Sequence, residues 1–233
     1  MVRAFISLVF VAILGLAFAR LAMDYAPDTA LNGTARYYAE QTAPETGAQN
    51  IVAAIIVTYR GLDTLGEVTV LFLTSAIVAL VLGQSHGPVR ARGSGLLPSG
   101  ELLQTGSRML VPLLLLFGIY VFANGHLTPG GGFQGGAILA SAALLLLLAD
   151  PARRFSHRLL SWIESGSGLL YVALGALGLV LAGGFLDNRI LPLGPFGSLL
   201  SAGAIPLIYA LIGLKVGAEF SSILESLEET EDR

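Results

Sequence analysis

The sequence predicts an all-α integral membrane bundle of about six transmembrane helices, arranged as two plus four. Three observations carry that prediction. Hydrophobic residues make up 54% of the 233 and charged residues 12%, about half the charged share of a soluble domain. Mean hydropathy is +0.75. Six apolar runs approach the ~20 residues that an α-helix needs to cross a hydrocarbon core of about 30 Å. Backbone amides in lipid must pair within their own segment, so these spans are expected to be helices.

The runs lie at about 4–23, 64–83, 109–124, 132–149, 165–185 and 198–218. The first begins MVRAFISLVF and passes through Ala17-Phe18-Ala19, which imitates a signal peptide with its cleavage site. It continues through Leu21, Ala22 and Met23, and that favours a retained anchor. An acidic external loop, 24–49, follows with Asp24, Asp28, Glu40 and Glu45. The run from Ile51 to Val57 is too short to span and is expected as a short re-entrant or amphipathic segment. The stretch QSHGPVRARGSGLLPSGELLQTGS at 84–107 is rich in Gly, Ser and Pro and reads as a linker. It separates a two-helix module, 1–83, from a four-helix module, 108–233, that ends in an acidic C-terminal tail. No internal repeat is visible.

Charge sets the orientation. Arg3, Arg90, Arg92, Arg108, Arg153, Arg154, Arg158 and Lys215 all fall on one side of the alternating spans. By the excess of basic residues in cytoplasmic loops, the chain is expected in the inner (cytoplasmic) membrane with both termini cytoplasmic. The net charge of −3 comes largely from the tail between Glu225 and Asp232. With no basic arm, nucleic acid is not an expected partner. With no cysteine, disulfides and thiolate-held clusters are excluded.

The segment NIVAAIIVTYRGLDTLGEVTVLFLT holds the first charged constellation. In a helix, Asp63 and Glu67 share a face at i and i+4. Glu67, one turn further in, is expected to be the buried member. A carboxylate inside a span costs at least about 2.5–3.5 kcal/mol. The pair reads either as a cation- or proton-handling site or as an interfacial group tied to Arg60.

The second constellation is the corner GHLTPGGGFQGG, residues 125–136. Pro129 stops a preceding helix, and the glycines after it permit a tight re-entry. Gly131 with Gly135, and Gly132 with Gly136, form two overlapping G-x-x-x-G pairs. Such pairs strip a helix face for close packing. His126 and Gln134 stand beside that face, as structural hydrogen-bonding groups or as the lining of a wet cavity. A phosphate loop is rejected because Gly-Ala-Ile stands where Gly-Lys-Ser/Thr is required.

The string TPGGGFQGGAILA closely resembles the signature of the MnhB/MrpB family, a small membrane component of the Mrp-type multisubunit Na⁺/H⁺ antiporters. The same module occurs in membrane-bound hydrogenases and related respiratory complexes. That resemblance covers about 104–222. Independently, Asn50, Val52, Tyr59, Arg60, Asp63, Thr64, Gly66 and Glu67 match a second pattern. It resembles the C-terminal part of the large antiporter subunit and the free-standing small E-type component of membrane-bound hydrogenases. The chain therefore resembles a fusion of two neighbouring small subunits.

Near the end of the sixth run, Lys215 and Glu219 sit at i and i+4 beside another G-x-x-x-G pair, Gly213 and Gly217. They read as a snorkelling anchor or as part of a polar path. Asp187, Asn188 and Arg189 read as a solvated turn, Trp162 as an interface anchor, and Glu164 as the start of the fifth helix.

No nucleophile, metal cluster or nucleotide loop can be assembled from these residues, so the chain is not expected to be an enzyme by itself. No cofactor is expected beyond a transported Na⁺ or H⁺. The resemblance implies a component of a multisubunit Na⁺/H⁺ antiporter module that holds sister subunits through its glycine faces and lines an ion path. Candidates for that path are Asp63, Glu67, His126, Lys215 and Glu219; candidates for helix packing are Pro129, Gly131, Gly132, Gly135 and Gly136. The alternative is a purely structural scaffold in a membrane-bound hydrogenase-type respiratory complex. Expected partners are the other subunits and the lipid bilayer.

Overall fold

The computed structural model describes residues 2–25, 30–83, 99–150 and 155–231, without the side chains of 3, 4 and 229–231. Asp28, Arg90, Arg92, Arg153, Arg154, Asp232 and residues 84–98 of the linker lie outside the described residues. Among the described residues every regular element is helical, with no strand. The helices are α1 (Val2–Asp24), α2 (Gly33–Thr46), α3 (Ile51–Ala54), α4 (Gly61–Gly83), α5 (Glu101–Ala123), α6 (Gly132–Ala149), α7 (His157–Leu181) and α8 (Ile205–Glu231). Six stretches within them are long and apolar enough to cross a bilayer: Phe5–Asp24, Gly61–Leu82, Glu101–Ala123, Gly132–Ala149, His157–Leu181 and Ile205–Glu228.

The chain divides into two units, Met1–Tyr37 and Tyr38–Arg233. The first consists of α1 and the opening of α2. Every described side chain of α1 is exposed, and the helix is apolar on all sides, as suits a lipid-facing span. Asn32 caps α2 by accepting the Ala35 amide at 2.8 Å. This helix replaces part of the expected acidic loop. Its sequence, GTARYYAEQTAPET, carries no apolar stripe that would have marked it.

In the second unit α8 is the central helix: 61% of its spanning stretch is buried, against 11% for that of α4. It packs on α6, α7 and α4, and α5 packs mainly on α6. Glycine decides the closest approaches. A Cβ on Gly132 would stand 2.6 Å from Ile212 Cβ, and one on Gly136 would stand 2.7 Å from Val216 Cβ. On Gly135 it would meet the Gly118 carbonyl oxygen at 2.7 Å. In return, a Cβ on Gly217 would stand 3.2 Å from Leu139 Cβ. The glycine faces expected to dock sister subunits are thus filled by this chain's own α5 and α8. The reason is mutual: bare positions on α6 receive Ile212 and Val216 of α8, and bare Gly217 on α8 receives Leu139 of α6, so each helix is the other's complement.

Several boundaries differ from the expected runs. The fifth span starts at His157, where Ser156 Oγ accepts the Leu159 amide at 3.3 Å. Glu164 consequently lies two turns inside the helix and does not start it. Helix α5 begins at Glu101, inside the stretch read as linker. The sixth run begins late because 198–204 form turns, and it ends late because α8 continues to Glu231. The acidic tail is therefore largely helical. Glu225 is fully buried: its carboxylate accepts the Phe155 amide at 2.9 Å, and His157 Nδ1 lies 3.6 Å away.

The segment after Asn50 is one α-turn followed by a π-helical turn, Ile55–Tyr59, which stops at Arg60. Asn50 accepts the Val52 and Ala53 amides, and the Thr64 hydroxyl donates to the Ile56 carbonyl at 2.7 Å. That bond satisfies a carbonyl freed where the helix breaks. The 187–189 turn is not solvated as a whole. Asn188 is fully buried and donates to the Thr46 and Ala202 carbonyls at 2.8 and 3.0 Å. Asp187 is also buried, and Arg189 Nε reaches its Oδ1 at 2.9 Å.

Candidate functional site

Polar groups gather at three places. At the start of α4, a cavity of about 430 Å³ is lined by Arg60, Asp63, Thr64 and Glu67, with Ile55, Ile56, Leu62 and Gly66 completing it. Arg60 forms an ion pair with Asp63, so the cation is already committed. Glu67 is exposed, contrary to the expectation that it is the buried member. The residues of α4 that turn inward are Thr64, Val68 and Ser75, and Glu67 flanks that stripe. Among the described residues it has no hydrogen bond and no ion pair.

The second place is inside the bundle. Lys215 is 7% exposed and Glu219 0%, and Lys215 Nζ lies 2.5 Å from Glu219 Oε1. The Phe72 ring of α4 sits 5.0 Å from that ammonium. Glu219 Oε2 has no partner. Snorkelling to an interface does not describe this lysine, because its head is covered on the α4 side and its stem runs past Gly168 of α7. Burying such a pair is costly even when the pairing is good.

The third place is the corner. The His126 carbonyl accepts the Gln49 and Asn50 amides at 3.0 and 2.9 Å. The Asn50 side chain donates to the Gly125 and Thr128 carbonyls at 2.8 and 3.0 Å. Asn50 therefore ties the start of α3 to the α5–α6 turn. A Cβ on Gly125 would stand 2.9 Å from the Tyr209 ring, and one on Gly130 would stand 2.7 Å from the Val121 carbonyl oxygen. These two positions require glycine for closeness alone. Pro129 and Gln134 are exposed. The His126 ring is fully buried, and neither nitrogen has a hydrogen-bond partner. Burial lowers its pKa, while nearby backbone groups of Ser198, Leu199 and Ala123 partly oppose the shift. No charged group acts on it, which separates His126 from the carboxylates. For Asp187, burial pulls the pKa upward, but the hydrogen bonds and charge of Arg189 outweigh it and hold the carboxyl below its ordinary value.

The expected path residues thus divide. Asp63 and Glu67 share one cavity, Lys215 and Glu219 form a buried pair, and His126 stands apart. Sequence reasoning missed Tyr171, which is 1% exposed with an unpartnered hydroxyl. It also missed the burial of Glu225 and the anchoring roles of Asn50 and Asn188. The signal for Tyr171 was present: a lone phenol within SGLLYVALGALG, at i+7 from Glu164.

Among the described residues no group of three or more His, Cys, Asp or Glu is arranged to hold a metal ion. Comparison with known proteins places the chain. A family model described as a domain related to the MnhB subunit of Na⁺/H⁺ antiporter matches residues 102–222. A second, MbhE, the model for the E component of MBH, matches residues 2–90. A protein of Methanocaldococcus jannaschii is 31% identical over 218 residues, covering 79% of this chain and 82% of that protein.

Among solved structures, one chain of the membrane-bound sulfane sulfur reductase, an archaeal respiratory membrane complex, superposes with a TM-score of 0.81 at 40% identity. The match covers 97% of this chain and 98% of that one. A chain of the Mrp complex from Dietzia sp. DQ12-45-1b matches with a TM-score of 0.77 at 26% identity, over 97% of this chain but only 26% of that longer one. With more than half its length matched by the first model and 97% of it followed by these structures, this multi-pass membrane protein belongs to the family defined by the MnhB-related domain of Na⁺/H⁺ antiporters.

Proposed function

We propose that the chain is a non-catalytic membrane component of a multisubunit cation/proton antiporter module, helping to assemble the complex and lining the path of a proton or Na⁺. One observation carries this reading: a buried Lys215–Glu219 pair in the central helix, on the same bundle as a charged cavity holding Glu67. Ionisable groups inside a span are expensive and face the bundle interior or a water-filled cavity when function retains them. Partners on this reading are the other subunits of such a module. Residues 1–83 and 108–233 are two ancestral small subunits fused into one chain, with both termini cytoplasmic.

The test is ion-driven proton movement in vesicles carrying the intact complex with Glu67→Gln or Glu219→Gln. Assembly at wild-type levels with at least tenfold lower transport supports the path. Wild-type transport in both variants removes these residues from it. Because the chain has no cysteine, single cysteines at residues 2 and 127 and an impermeant maleimide test the orientation. Labelling of the position-2 thiol from outside the cell would reverse it.

A second reading, a purely structural scaffold in a respiratory complex, is favoured by the end-to-end match to the sulfane sulfur reductase chain. Under that reading both carboxylate variants assemble and transport normally.

A further inference from the structure

Helix α7 turns Glu164, Ser167, Gly168, Tyr171 and Gly175 toward its neighbours, at the i, i+3, i+4, i+7 and i+11 spacing of one face. Lys215 crosses this face at the bare position: a Cβ on Gly168 would stand 3.5 Å from Lys215 Cδ and 3.8 Å from Nζ. One turn from Gly168, toward the end of the bundle where α7 meets the 182–204 loop, is the buried Tyr171. Its hydroxyl has no partner, and Glu67 stands on α4, the helix whose Phe72 ring lies over the Lys215 ammonium. One turn from Gly168 in the opposite direction, on the same face of α7, is Glu164. The charged and titratable groups facing one another here are therefore Glu67 from α4, Glu164 and Tyr171 from α7, and Lys215 and Glu219 from α8.

Their burial follows their order. Glu67 is exposed in its cavity and Glu164 is partly exposed, whereas Tyr171, Lys215 and Glu219 are 1%, 7% and 0% exposed. Two open ends therefore flank a closed middle. Within that middle, two oxygens have no partner, the Tyr171 hydroxyl and Glu219 Oε2. A buried polar atom without a hydrogen bond costs about 1–3 kcal/mol, so two of them beside one ion pair call for an explanation. A phenylalanine at 171 would fill the same volume without that cost.

We propose that Tyr171 is the proton relay between the Glu67 cavity and the Lys215–Glu219 pair, and that Glu164 is the group that receives the proton beyond it. The inference rests on the transport reading above. The step balances. Protonated Glu67 passes its proton through bridging water to the Tyr171 oxygen. The proton already on that hydroxyl moves to the neutral amine of Lys215, which had given its own to Glu219. Glu219 hands that proton on to Glu164. The phenol ends neutral, Glu67 ends anionic, the pair returns to ammonium and carboxylate, and one proton has crossed the closed middle. A phenol suits this place because it carries a proton both ways without being buried as a charge.

The test uses the intact complex in vesicles, with proton movement started by a sodium chloride pulse and read with a trapped pH dye. Tyr171→Phe is expected to assemble with normal subunit content and to move protons at least tenfold more slowly. Tyr171→His, which restores a two-way proton carrier, is expected to recover part of the rate. Wild-type rates with Tyr171→Phe would overturn the assignment. Failure of that variant to assemble would also overturn it, because the hydroxyl would then be structural. Glu67→Gln in parallel separates the two levels. If it too transports normally, the path reading fails; if it is inactive while Tyr171→Phe is active, only the relay falls.

Discussion

The tight crossing of α6 and α8 can be tested by adding one methyl group in two places. At Gly136 an alanine Cβ would stand 2.7 Å from Val216 Cβ and 2.8 Å from the Gly213 carbonyl oxygen. Both obstacles sit at or next to backbone, so no side-chain rotation clears them and the helices must separate. Overpacking of this kind costs about 1–3 kcal/mol, against a gain of up to about 1 kcal/mol in helix propensity. The net expectation for Gly136→Ala is a loss of about 0–2 kcal/mol. At Gly166, in α7, a Cβ meets nothing within 4 Å, so Gly166→Ala keeps only the gain. The two variants are expected to differ by about 1–3 kcal/mol. For a chain of this size each kcal/mol shifts the melting midpoint by roughly 2–4 °C. The assay is thermal unfolding in mild detergent, followed by loss of the folded peak in size-exclusion chromatography. Equal shifts of the same sign in both variants would refute the argument that this face is closed by α8.

Two further outcomes follow from the same packing. Lys215→Met leaves Glu219 buried without its cation and should destabilise the chain by about 3–5 kcal/mol, while Lys215→Met combined with Glu219→Leu should recover most of that loss; a double variant no better than the single would show that the pair is not energetically coupled. For His126, the folded pKa lies below the ordinary value of 6.5, so the unfolded chain binds the extra proton first and stability is fully present above pH 6.5 and falls as the pH drops below it. Melting in detergent between pH 8 and pH 5 should show that loss in the wild type and a smaller one in His126→Gln, and identical profiles would remove His126 as its source.

The legible part of the site was its chemistry. Asp63 and Glu67 at i and i+4, Lys215 and Glu219 at i and i+4, and the glycine pairs of α6 and α8 were visible because each involves neighbours on a single helix. What was not legible is which face of each helix turns inward. Glu67 was expected inside and lies at a surface cavity, because Thr64, Val68 and Ser75 form the buried stripe of α4. Tyr171 was passed over because its significance depends on groups contributed by α4 and α8. Glu225 reads as one more acid in a charged tail until Phe155 and His157 are brought to it across 70 residues of chain.

By itself the sequence determined the solvent, the helical class and the number of spans. Those follow from run length and composition, since a backbone in lipid has no hydrogen-bonding choice but the helix. Only the tertiary structure decided what the glycine faces meet, which acids are buried and which groups line up. In a bilayer most of a helix's surface is equally apolar, so hydropathy carries little information about its inward face. That choice is made where bare backbone on one helix admits the side chains of the other, and it becomes visible only when α6 and α8 are packed together.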